Sequence, residues 1–153
     1  MTTQGVKMSA IDNTRNKVQR ILTQLGRVEL DKDGDFVLRH ESAVMFVEIV
    51  KGFGDDGTLV RFTCPLVMNV PLTPAVFKWI AVDGQDFKIG SCGVWMDSED
   101  SKTGSIAFSY TIVGDDVDES EVEAAAMVTL LTSNDLDNQL LDKFGGELFG
   151  SND

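Results

Sequence analysis

Between Val28 and Val67 four strand-like segments follow one another with connections too short for anything but antiparallel neighbours. A parallel crossover needs about a dozen residues or more, and none of these gaps offers them. Val28–Leu30 and Phe36–His40 flank DKDGD, whose Asp33-Gly34 pair is a strong hairpin-turn signal. Ala43–Val50 contains the near-continuous apolar run VMFVEIV, the pattern of a central strand. After the flexible GFGDDG connection, Val60, Phe62, Cys64 and Leu66 alternate with Leu59, Arg61, Thr63 and Pro65, so one face of the next strand is apolar.

Helices bracket this block. Ile11, Val18, Ile21, Leu22 and Leu25 recur at helical spacing, and Gly26 stands where a C-terminal cap belongs. In the stretch Val70–Gly84, Thr73 fits the N-cap and Pro74 the first helical position, where its missing N–H costs nothing. Val76, Phe77, Trp79 and Ile80 crowd most of that short helix with apolar bulk, which predicts that it is largely buried, either in a core or against a partner. Phe87–Met96 and Ser105–Val113 form a second strand pair, the latter with Ile106, Phe108, Tyr110 and Ile112 on one face. A long helix follows to about Phe144, with acids crowding its start and Lys143 and Gly145 at its end, as the helix dipole favours.

The order α-β-β-β-β-α-β-β-α predicts an α+β fold, an antiparallel sheet of about six strands with helices on one face. One domain over residues 1–153 is expected, with 1–8 and 146–153 as flexible tails.

Charge narrows function. The net charge is −12, yet residues 1–84 hold 10 basic against 10 acidic side chains, while residues 85–153 hold 3 against 15. The whole imbalance therefore follows the central helix, and direct nucleic-acid binding, which needs a cationic footprint, is not expected. No apolar run approaches the roughly 18 residues of a membrane span. The N-terminal residues show no secretory h-region, so no membrane association and a cytoplasmic location are expected. Cys64 and Cys92 sit in separate strand-like runs and are expected as buried reduced thiols.

Catalytic and metal motifs fail one by one. Asp31, Asp33 and Asp35 match the first calcium ligands of an EF-hand loop, but Phe36 replaces the required Gly and Ser42 the bidentate Glu. His40, the only histidine, lies beside Glu41 at a strand end. One His and two separated Cys cannot make a zinc site of the usual N/S type. GFGDDG joins strand to strand and lacks the dinucleotide-binding spacing. No enzyme activity, cofactor or metal is expected. What remains is surplus apolar surface: Val18, Ile21, Leu22, Leu25 and Trp95 are candidates for a peptide groove, and Phe77, Trp79 and Ile80 for a dimer face.

The DKDGDFVLRHESAVMFVEIV region, the PLTPAVFKWIAVDG helix and the closing acidic-to-apolar helix resemble the YbjN-like proteins of bacteria, over roughly residues 9–145. Those proteins are similar in fold to the type III secretion chaperones. The resemblance implies a homodimeric α+β domain that binds a client peptide or regulates other proteins without catalysis. A small-molecule-responsive regulator, or an enzyme with an unrecognised site, is the alternative and requires a deep pocket with convergent polar groups.

Overall fold

A computed structural model describes residues 8–150. Helix α1 (Ala10–Leu25) begins where the Ser9 hydroxyl oxygen accepts the Asp12 N–H, and it ends at Gly26, whose N–H donates to the Leu22 carbonyl. Strands β1 (Glu29–Leu30), β2 (Phe36–His40), β3 (Ala43–Lys51) and β4 (Thr58–Pro71) follow. Next come α2 (Pro74–Val82), β5 (Ser91–Met96), β6 (Thr103–Val113), α3 (Glu119–Phe144) and β7 (Glu147–Leu148). The seven strands form one antiparallel sheet in the order β1-β2-β3-β4-β6-β5, with β7 paired to β4 off that path. The predicted α+β order holds; β7 is the addition.

Local chemistry accounts for most element ends. Thr73 caps α2 by accepting the Val76 N–H. Asp118 and Glu121 form a reciprocal capping box at the start of α3, satisfying two backbone donors that helix geometry leaves free. In the β1–β2 turn, Asp31 accepts N–H bonds from Asp33 and Asp35, both at 2.9 Å, and Gly34 takes a left-handed φ of 84°. The Asp31 carboxylate thus serves a turn. β5 starts at Ser91, later than the predicted Phe87, because Gly90 turns the chain at φ 79° while the Phe87 ring packs edge-on against Phe108.

All three helices feed one core. Val18 and Leu22 of α1, Val76 of α2, and Val122, Ala126 and Leu140 of α3 pack with Phe36, Met45, Val47, Phe62 and Phe108 of the sheet. Each fully buried Phe or Leu contributes about 1.5–3 kcal/mol of transfer free energy. Polar ties fix the periphery: the Arg15 guanidinium donates to the Gly34 carbonyl at 2.6 Å and stacks over Phe36. The Thr14 and Thr58 hydroxyls bond at 2.9 Å, while the Thr58 N–H donates to Asp115.

Pro65 decides how the sheet closes. The Gly114 N–H donates to the Thr58 carbonyl, so by antiparallel alternation the odd-numbered residues from Leu59 onward turn their backbone groups toward β3. The β3–β4 ladder runs to Phe46↔Thr63 and stops, because the next residue owing an N–H to β3 is Pro65, which has none. A register shift follows between Pro65 and Val67. β7 fills the resulting gap, with Leu148 opposite Val67 and Glu147 opposite Met68. The expectation of a tail from residue 146 is therefore corrected for 147–149. Gly145 and Gly146, at φ 82° and 92°, fold the chain back from α3, and a side chain at Gly146 would collide with the Met68 carbonyl. The expected tail at 1–8 falls, apart from Met8, outside the described residues, as do residues 151–153.

Candidate functional site

Strand alternation sends every second side chain to the face of the sheet that carries no helix. On that face lie two apolar zones. One is a groove of about 370 Å³ whose lining includes Leu30, Val37, Val44, Phe46 and Met68. Phe149 lies in it, its ring edge-on to Phe46 at 5.8 Å between centroids. Val37 and Val44 are buried despite facing away from the helices, and Phe149 lines the groove with them.

The second zone centres on Trp95, half-exposed in β5. Its indole lies back over Gly93, where a Cβ would come within 3.2 Å of the ring. Ala107 pairs with both Gly93 and Pro65 beside it. On the same face the Glu48 and Arg61 side chains meet at 3.3 Å, both well exposed, a pair that contributes little to stability.

The predicted groove residues are not assembled. Val18, Ile21 and Leu22 are buried in the core, and Leu25 is packed against it. Their stripe is apolar because α1 lies on the sheet and on α3, so these four are corrected from groove to core. Trp95 alone of that set reaches the uncovered face. Of the proposed dimer face, Trp79 and Ile80 are partly buried against the core, with Trp79 edge-on to Phe144, while Phe77 stays 47% exposed. Within the single chain, Val76 is the buried residue of α2.

Val37, Val44, Phe46, Met68 and Phe149 were missed as site residues. A signal existed in VMFVEIV: a strand apolar at both odd and even positions needs cover on both faces, and the helices supply it on one.

Asp137, Ser42 and Asn134 tie the scaffold together. Asp137 of α3 is 2% exposed and accepts the Ser42 hydroxyl, while Ser42 also donates its N–H to the Asn134 side chain, which pins the β2–β3 turn to α3. Burial pushes the thiols of Cys64 and Cys92 up to about 12, the opposite of an activated thiolate. Burial, and then the charge of Asp31, raises the Asp35 carboxyl. His40 is exposed at the end of β2. Among the described residues no cluster of three or more His, Cys, Asp or Glu side chains could hold a metal ion, and no helix is long and apolar enough to cross a membrane. A recess of about 570 Å³ beyond β5 combines Tyr110 and Ile112 with Asp115, Asp116 and Glu121, giving it an acidic rim.

A family model for the type III secretion (YopN, CesT) and YbjN peptide-binding chaperones, TY-Chap1, matches residues 12–152. The chain belongs to this family. A search of curated proteins found no match. TY-Chap1 membership agrees with the α+β sheet and with the resemblance drawn from the sequence.

Proposed function

We propose that the protein is a non-enzymatic, cytoplasmic chaperone-like adaptor that holds an extended segment of a client protein against the uncovered face of its sheet. The supporting observation is β7: an extended segment already pairs with β4 there and sets an aromatic ring on Phe46. Main-chain pairing supplies affinity, and the side-chain zones around Phe46 and Trp95 supply selectivity. The chaperone family supports the same class of partner.

A panel of labelled peptides rich in apolar and aromatic residues, titrated by fluorescence anisotropy, tests this. Binders are expected in the micromolar range, weakened about tenfold or more by Phe46→Asp with circular dichroism unchanged. Capture that persists in high salt agrees with apolar burial, since screening weakens exposed charge contacts. Absence of any binder, or binding untouched by Phe46→Asp and Trp95→Ala together, overturns the reading.

Self-association through α2 is a companion proposal. Phe77 and Val82 are exposed on this helix at 47% and 60%, beside the partly buried Trp79 and Ile80. Light scattering is expected to report a dimer at micromolar concentration, converted to monomer by Phe77→Glu.

A further inference from the structure

The gap beside β4 is a strand-addition slot with a built-in occupant. Past Pro65, β4 turns a carbonyl outward at Leu66, and the Phe149 N–H donates to it at 3.3 Å. Leu148 points to the core side and packs against it, while Phe149 points to the uncovered face. One aliphatic and one aromatic side chain thus straddle the sheet, held by a ladder of two residue pairs. The groove does not end with Phe149: it continues along Leu30, Val37 and Val44. A clasp this short is held mainly by its tether to α3, which keeps it at high effective concentration near the slot.

We propose that Glu147–Phe149 is an intramolecular stand-in for the client, and that a client enters by displacing it with an extended segment in which an aliphatic residue directly precedes an aromatic one. This rests on the peptide-binding reading above. A client's apparent affinity is then the intrinsic affinity multiplied by the fraction of molecules in which the clasp is open. The clasp also covers Phe46 and the neighbouring Val37 and Val44 when no client is present, which keeps an apolar strip from pairing with other chains.

Two full-length variants open the slot by different means. Gly146→Val places a branched side chain at φ 92° against the Met68 carbonyl, and Phe149→Ala removes the ring that anchors the clasp. The probe is a labelled peptide of the sequence GELFGS, residues 146–151, titrated against both variants and the unaltered chain. Circular dichroism establishes that each variant is folded. The probe is expected to bind each variant at least tenfold more tightly than the unaltered chain, and a probe with Ala in place of Phe to lose binding to all three. Peptides selected on the unaltered chain are expected to gain similarly.

Equal probe affinity for the three proteins, within twofold, overturns the proposal and makes β7 an ordinary terminal strand. If the selected peptides bind all three proteins alike, the gate is overturned while peptide binding stands. If the probe binds the opened variants but no other peptide binds any protein, the client reading falls with the gate, and the clasp serves only to close the sheet.

Discussion

The two faces of the sheet are made from alternate residues of the same strands, yet they differ in how their large aromatic side chains are covered. Phe62 and Phe108 on the helix side are fully buried, with thiols beside them that do not ionise near neutral pH. On the other side Phe46 is only partly buried, with the Phe149 ring edge-on to it, and Trp95 is half-exposed. Strand chemistry is similar on both sides; what differs is the cover. The helical cover is built from three helices packed on one core, whereas the β7 cover rests on two paired residues.

The sharpest way to break this contrast is to remove matched side chains from the two faces. Phe62→Ala is expected to cost about 3–5 kcal/mol and Leu22→Ala about 2–5 kcal/mol. Phe46→Ala is expected to cost less than half the Phe62 value, because its ring is not fully enclosed. Urea denaturation of the three variants measures this. A folded Leu22→Asp variant that had lost only peptide binding would return α1 to the groove.

Cysteine labelling sharpens the contrast next. In the native protein at pH 8 both thiols are expected to react with iodoacetamide about a thousandfold more slowly than in urea, through low thiolate content and poor access. Rapid native labelling would mean that the helix cover opens readily. A smaller effect is expected on the other face: Trp95→Ala should shift stability by less than about 1 kcal/mol and weaken client peptides several-fold.

The smallest effect concerns pH. Bonds from the Glu121 N–H and then the Ser120 hydroxyl hold the Asp118 carboxyl below its ordinary value of 3.8. Its folded pKa is depressed, so its contribution is complete well above 3.8 and is lost as pH falls through the folded value. Melting temperatures of Asp118→Asn and the unaltered chain should differ slightly at pH 7 and converge near pH 2. A difference that grew on acidification would contradict the charge assignment.

Elements with local signatures were legible from sequence. The cap at Thr73, the acidic start of α3, the Asp33-Gly34 turn and the alternation of β4 and β6 each depend on neighbours within a few residues. Of the candidate site Trp95 was read from the sequence and VMFVEIV carried a signal; the rest was not legible, because it is made by distant contacts. GGELFG has the composition of a tail, and only the gap that Pro65 leaves about 80 residues earlier turns Glu147–Leu148 into a strand. The amphipathic stripe of α1 was visible, but a stripe does not say whether its partner is the same chain or another. Val18 and Leu22 went to the core for that reason.

Hydrogen exchange of the full chain, with and without a saturating client peptide, tests the central claim most directly, since amide protection reports which backbone segments are covered. The peptide is predicted to increase exchange at Leu148 and Phe149 as β7 is displaced, while protection is kept or gained at Val67 and Met68. Protection concentrated on α1, with β7 unchanged, would contradict an account in which the uncovered face of the sheet receives the client.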